Sequence, residues 1–298
     1  MLKKLFRLFK FVLFHPLNRN NRLAAIWRVI SFQIVSRITN NSILLPYINN
    51  TYLITKHGMT GATGNWYCGL SEFEDMGFLL HTLKPGDLFV DIGANIGSYS
   101  ILAASCKDVK VEAFEPIPST FFWLQKNIQV NSLNQVNAMN IGLADKKNTV
   151  YFSSNLDTVN HVLSDNEKNY SSIQVDVFPL DEVLKDKCPT IIKIDVEGYE
   201  SQVLDGAKNI INNPSLIVII IELNGSGRKY GKKDSDIHKM LTSKGFESFK
   251  YDPLEHKLEY LNDEFNSTSN TLYIRKLDEI QQRISRKTTF MLGSGKQI

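Results

Sequence analysis

Acidic residues are absent from the first 71 positions of this chain. The first is Glu72, preceded by nine cations at Lys3, Lys4, Arg7, Lys10, Arg19, Arg22, Arg28, Arg37 and Lys56. Such one-sided charge marks an arm suited to an anionic surface, ahead of a body that is net acidic. Cysteine is scarce: Cys68, Cys106 and Cys188 are odd in number and far apart. No CxxC pair or Cys/His cluster with zinc spacing occurs, which excludes a disulfide scaffold and a structural zinc site and favours a reducing compartment. Long apolar runs are missing from residues 2–14, where the longest is Phe11 to Phe14. A membrane span needs about 20 residues, so this segment cannot cross a bilayer. It also lacks the small-residue cleavage site of a signal peptide. What remains is ordinary: 298 residues, 43% hydrophobic and 22% charged, which excludes wholesale disorder and is long enough to bury a core.

Residues 2–14, LKKLFRLFKFVLF, put Leu2, Leu5, Phe6, Phe9 and Val12 on one helical face and Lys3, Lys4, Arg7 and Lys10 on the other. A basic amphipathic helix of this kind fits a membrane interface. The competing expectation is that its apolar face packs on the body and its lysines are only solvated; a transit peptide, also poor in acids, is a third. Residues 22–38 predict a second helix, too apolar around its circumference to be solvated on all sides.

From residue 86 short apolar runs alternate with helix-length segments. The runs are 87–93, 109–115, 136–144, 190–196 and 216–224, and the helices 97–105, 118–131, 199–212 and 234–244. This alternation predicts a mostly parallel, doubly wound sheet of the α/β class. The run Ile217 to Ile221 is continuous, as a strand buried on both faces should be. Residues 246–252 and 270–276 have no helix between them and predict an antiparallel hairpin at one edge. TVYFSS and SIQVDVF, within 148–178, predict extra strands around a polar loop. The tail after Lys276 shows no clear pattern. The implied division is a basic helical extension over 1–50, an α/β domain over 51–276 and a tail over 277–298.

The strongest local signal is FVDIGANIGSYSILAA at 89–104, an apolar strand, a glycine turn and a helix. Glycines let the chain turn sharply and a ligand approach the backbone. The spacing Gly93-x-x-x-Gly97 is not GxGxxG, so a dinucleotide pyrophosphate is poorly served. Asp91 at the strand end is unwelcome beside a phosphate and suits an ammonium group. Glu115 ends the second strand, where an acid can accept both ribose hydroxyls. Asp145 ends the third run, where a carboxylate can accept from an adenine amine. Acceptors for ammonium, ribose and adenine, in that order along one sheet edge, describe S-adenosylmethionine.

VDIGANIG, AFEP, the GLAD segment and above all IIKIDVEGYESQVLDGA (191–207) resemble the FkbM family of S-adenosylmethionine-dependent methyltransferases. The resemblance covers about residues 60–250, including GATGNWYCGLSEFE at 61–74. It implies the Rossmann-like class I fold with a seven-stranded, mostly parallel sheet. It also implies methyl transfer to oxygen, often on sugars, glycans or polyketide-like products. By motif, Asp91, Gly93, Asn95, Gly97 and Glu115 would hold the cofactor, with Asp145 at the adenine.

Methyl transfer to a hydroxyl needs the acceptor's proton removed. Asp195 and Glu197 end the fourth strand, with Glu222 at the end of the fifth, so a carboxylate base is expected there. A carboxylate cluster is also compatible with a divalent metal, though none is predicted. Glu197 and Glu200 have a plainer reading as acids at a helix start. His161, in the polar loop, is a rival base.

A nicotinamide-dependent oxidoreductase is the alternative enzyme, opposed by the missing third glycine and by Asp91. A non-catalytic membrane-associated binding protein on a degenerate fold is opposed by the set Asp91, Glu115, Asp145 and Asp195. No [DN]-P-P-[YF] segment occurs, so no nucleic acid is expected as partner. A cytoplasmic location is expected, and residues 1–40 leave peripheral contact with the inner face of an anionic membrane open.

Overall fold

A computed structural model describes residues 2–39, 41–56, 58–153, 161–163, 171–286 and 288–298, apart from the side chains of 2–4 and 60. The polar loop expected within 148–178 lies mostly outside these residues. Helices α1 (Leu2–Phe14) and α2 (Arg22–Ile38) occupy the spans their periodicity predicts. Asn21 caps α2, its side-chain oxygen accepting from the Ala24 amide at 3.2 Å. A hairpin of β1 (Ile43–Pro46) and β2 (Tyr52–Thr55) follows, then α3 (Thr60–Cys68) and α4 (Phe73–Thr82). The alternating region begins with β3 (Leu88–Ile92), α5 (Ser98–Ala104), β4 (Lys110–Phe114), α6 (Pro118–Val130) and β5 (Val136–Met139). β6 (Gly142–Leu143), β7 (Asn148–Ser153) and β8 (Ser172–Phe178) form a small separate sheet. The chain then gives α7 (Leu180–Leu184), β9 (Ile191–Ile194), α8 (Glu200–Asp205), α9 (Lys208–Asn212), β10 (Val218–Glu222) and α10 (Asp234–Ser243). It ends with β11 (Glu247–Asp252), β12 (Lys257–Tyr260), β13 (Asn270–Ile274) and α11 (Leu277–Ile284).

The large sheet runs β12-β11-β13-β10-β9-β3-β4-β5, with β10, β9, β3, β4 and β5 parallel and the other pairings antiparallel. The chain winds outward from β3 through β4 to β5, then crosses back to β9 and winds the other way. Strand order therefore reverses between β3 and β9, where open α/β sheets form their ligand crevice. In β10, Val218 and Ile220 enter the core under α4 and α5, while Ile219 and Ile221 enter the core on the opposite face. That two-sided burial is why this strand reads as an unbroken apolar run.

Four expectations change. Among the described residues the sheet has eight strands rather than seven, because Lys257–Tyr260 adds an edge strand to β11. The expected edge hairpin is therefore interrupted: β11 and β13 do pair antiparallel, but β12 lies between them in the chain. The run 136–144 splits, with β5 in the large sheet and β6 in the small one. The helix expected over 199–212 breaks at Gly206, where a Cβ would stand 2.0 Å from the Ala144 carbonyl oxygen. Backbone contact that close admits only glycine and forces the two short helices apart.

The arm and the tail are both tied to the body. Val12, Ala25, Val29 and Phe32 share an apolar cluster with Tyr67 and Cys68, with Leu8 and Phe9 against it. Buried Asn18 donates to the Val12 carbonyl at 2.9 Å and the Tyr67 carbonyl at 3.2 Å, and Arg28 donates to Asn18 Oδ1 at 2.9 Å. The β1–β2 hairpin straddles residue 50, and the tail bridges back to it through Ile48 and Leu292. The patternless tail contains α11, whose buried Arg283 donates to Asp87 Oδ2 at 2.7 Å. No helix among the described residues is long and apolar enough to cross a membrane.

Candidate functional site

A cavity of about 760 Å³ opens at the carboxyl ends of β3, β4, β9 and β10, at the reversal of strand order. Asp91 on β3 is 1% exposed. Its Oδ2 accepts from Ser100 Oγ on α5 at 2.6 Å, while its Oδ1 is buried without a partner. Burial pushes this carboxyl above the usual range, opposed by the facing Lys193 ammonium and by Ser100. One oxygen thus pins the strand to the helix and the other is left for a donor.

The turn after β3 is built for close approach. Gly93 has φ +79°, and a Cβ there would stand 1.9 Å from the Asp195 carbonyl oxygen. Gly97, at φ +94°, would drive a Cβ to 2.6 Å from Leu124 Cδ1. Asn95 is also left-handed, at φ +53°, and its amide donates to Glu115 Oε2 at 2.9 Å. Glu115 Oε1 accepts from the Ile117 amide at 2.9 Å, so this buried carboxylate holds two turns together as well as facing the cavity. Burial raises its carboxyl to about 7, against the pull of those two amides. Beyond it Ile117, Ile141, Leu143 and Phe152 make an apolar wall.

On the other flank stand the residues after β9 and β10. Lys193, 3% exposed, donates to Asp195 Oδ2 at 2.7 Å and lies 4.5 Å from the Tyr99 ring centre. Burial alone would lower this lysine, yet the carboxylates of Asp195, Glu72 and Asp91 hold it above its ordinary value. Carboxylate oxygens of Asp195, Glu197 and Glu222 all lie within 4.8 Å of one another. Glu197 sits at φ +53° in a tight turn, with Gly198 at φ +103° beside the Ser226 carbonyl. Burial, then Asp195 and Glu222, raise the Glu197 carboxyl to about 7. Two of the trio's neighbours have other duties: Glu200 reaches back to the Gly198 amide at 3.0 Å, and Lys193 engages Asp195. Such a trio has the donors for a divalent cation, but the adjacent ammonium already neutralises one of its carboxylates.

The structure thus gathers Asp91, Gly93, Asn95, Glu115, Asp195 and Glu197 on one cavity and leaves three expected residues elsewhere. Gly97 packs behind the turn against Leu124. Asp145 is exposed and outside the cavity lining, because the chain leaves the large sheet after Met139 and residues 141–143 form the wall instead. His161 pairs through its backbone with Ser153 and also lies outside the lining. Sequence reasoning missed Lys193, Glu72, Asp75, Tyr99 and Asn270. The one signal for them was Lys193 itself, a cation within the apolar run IIKIDV.

A family model for the methyltransferase FkbM domain matches residues 91–248, more than half of the chain. The hexuronic acid methyltransferase AglP of Haloferax volcanii is 26% identical over 169 residues, 55% of this chain and 65% of that protein. The chain therefore spans less than two thirds of that relative. Methyltransferase 1 of Beauveria bassiana is 27% identical over 191 residues, 54% of this chain and 73% of that protein. Among solved structures, an rRNA methylase from Streptococcus thermophilus matches at 14% identity and a TM-score of 0.39, over 67% of this chain and 91% of its own.

The glycine turn yields a direct check. Gly93→Ala combines backbone strain, worth about 1–3 kcal/mol, with a clash against the Asp195 carbonyl. Gly86, at φ +90°, has nothing within 4 Å of its Cβ position, so Gly86→Ala carries the strain alone. Urea unfolding should show the larger loss for Gly93→Ala. Equal losses would mean that the close approach of the two loops is not tight.

Proposed function

Because this chain belongs to the FkbM methyltransferase family, we propose that it transfers a methyl group from S-adenosylmethionine to a hydroxyl of a sugar, glycan or related small molecule. When bound, S-adenosylmethionine supplies an electrophilic methyl on its sulfonium sulfur. The residues present fit that group. Buried Asp91 Oδ1 lacks a donor, which an ammonium would provide. Glu115 presents a carboxylate to ribose hydroxyls, and Ile117, Ile141, Leu143 and Phe152 offer a wall for a flat base. The archaeal relative's name gives a hexuronic acid as its acceptor, which supports a sugar as the acceptor class here.

The observation that carries the chemistry is the carboxylate trio beside buried Lys193. Glu197 accepts the acceptor hydroxyl's proton at a carboxylate oxygen, and its raised affinity for protons suits that role near neutral pH. Burial, and then repulsion from Asp195, which Lys193 holds, and from Glu222, keep Glu197 basic. Its left-handed backbone is strain stored at a site where position matters.

A base must be deprotonated to act, so transfer should rise as pH increases through about 7 and fall away below it. Glu197→Gln should lose that limb and lower kcat by about 10²–10⁴-fold. An unchanged profile in the variant would exclude Glu197 as the base.

The arm supports a second reading, peripheral contact with an anionic membrane. Its inner face packs on the body, but Leu23 (80% exposed), Trp27 (68%), Ile30, Ile34 and Ile38 (77%) form an outward stripe along α2. Phe6 and Phe14 on α1 are exposed too, and no acid offsets the arm's cations. An apolar stripe this continuous on a solvated helix marks a contact surface, and each nearby cation adds about 1 kcal/mol at anionic lipid. Phe11, His15 and Pro16 of the same arm line the cavity, which would place the acceptor's entrance beside the membrane. The full chain should pellet with anionic vesicles at low salt, and Trp27→Glu with Ile34→Glu should abolish this. Equal pelleting of both proteins, or of neither, would leave the arm as a packing element.

A further inference from the structure

Resting on the methyltransferase reading above, the acceptor flank of the cavity narrows what that acceptor is. Among the described residues lining this flank, the carboxylates of Glu72, Asp75, Asp195, Glu197 and Glu222 face one ammonium, Lys193. That ammonium is already engaged by Asp195. His15 adds no cation near neutral pH, because burial holds it down at about 4. Among the described lining residues, an acceptor carrying a carboxylate would therefore meet like charge and no cation besides the engaged Lys193, while Lys229, outside the lining, partly offsets Glu197. Like charges juxtaposed without water are strongly disfavoured.

Two further polar side chains beside these carboxylates have their donors committed. Asn270 on β13 stands opposite Glu222 in the sheet register. Its Nδ2 donates to Asp75 Oδ2 at 2.9 Å and Glu72 Oε2 at 3.3 Å, which turns Oδ1 away, buried and without a partner. Tyr99 donates to Glu72 Oε2 at 2.7 Å, so its hydroxyl proton is also committed. The flank thus holds an unfilled acceptor among its carboxylates, and the lining hydroxyls that could donate, Ser98 and Ser269, are neutral. Phe11, His15 and Phe73 meet edge to face, with ring centres 5.5 and 5.9 Å apart, and line the cavity as an aromatic wall.

We infer that this site takes an uncharged ring rich in hydroxyl groups and rejects a carboxylated one. Hydroxyls donate to Asn270 Oδ1 and the neighbouring carboxylates, and the ring's apolar face lies on the aromatic wall. A buried acceptor left unfilled, or a carboxylate forced among carboxylates, is what discriminates.

The test uses the full chain saturated with S-adenosylhomocysteine, whose binding is first measured by calorimetry. Methyl glucoside, galactoside and mannoside are then compared, each with its 6-carboxylate counterpart, by saturation-transfer NMR at pH 8. At least one neutral ring should show a signal about tenfold or more above its acid partner. Phe73→Ala should weaken that signal without altering S-adenosylhomocysteine affinity, whereas a merely structural effect would move both. Acid signals equal to or above the neutral ones, or no signal from any neutral ring, would overturn the inference. Failure of S-adenosylhomocysteine to bind would instead strike the methyltransferase reading, which keeps the two failures distinct.

Discussion

The Lys193 ammonium lies on the central strand β9, 2.7 Å from Asp195 and over the Tyr99 ring, with Glu72 and Asp91 as further anionic neighbours. A carboxylate removed from water is costly unless an opposite charge or several donors meet it. Here the sheet order places Asp91, Lys193 and Glu222 on three adjacent strands, all toward the α4–α5 face. One cation therefore serves the groups on both sides of it. Without it, Asp91 and Asp195 would repel across the strands, and the glycine turn that meets the Asp195 carbonyl would lose its fixed partner. The two flanks of the cavity share this point of neutralisation.

Charge is divided between the parts of the chain. The arm is purely basic over its first 71 residues, whereas the cavity it borders is dominated by carboxylates. The two meet at Phe11, His15 and Pro16, where the contacts are aromatic and apolar. The C-terminal helix anchors the opposite end through the buried Asp87–Arg283 pair, and the last residues bridge back to the β1–β2 segment. Arm, tail and hairpin are therefore each tied to the body outside the family match at 91–248, and of the three only the arm reaches the cavity lining.

The parallel sheet was legible because β3, β4, β9 and β10 are short apolar runs separated by helix-length segments. Asp91, Gly93, Glu115 and Asp195 were legible because strand ends and glycine turns announce themselves locally. What was not legible had non-local causes. Asp145 follows an apolar run that looks continuous, and only pairing of residues 142–143 with β8 takes it off the sheet edge. The break at Gly206 is set by a carbonyl 62 residues earlier in the chain, at Ala144. Glu72 lies in the stretch GATGNWYCGLSEFE but carried no assigned role there, Asp75 and Asn270 lie in no quoted motif, and the three converge only through tertiary contact. Arg283 was invisible for the same reason, since its partner Asp87 lies nearly two hundred residues away. Lys193 stands between these extremes. Its position inside an apolar strand was plain in IIKIDV, and a buried lysine demands a carboxylate partner. The partner two residues on, Asp195, was singled out for chemistry instead of for neutralisation, and its contact with Lys193 joins the two roles.

S-adenosylmethionine, in the function proposed above, is held by Asp91 and the turn beside it, with the unpartnered oxygen of a buried carboxylate taking the ligand's ammonium group. Isothermal titration of the purified chain with S-adenosylmethionine, beside Asp91→Ala, tests this most directly. The parent should bind, and a folded variant should bind roughly tenfold or more weakly, the loss of one charge-assisted hydrogen bond of about 1.5–3 kcal/mol. Equal affinity in a folded Asp91→Ala protein, or no binding by the parent, would contradict that assignment.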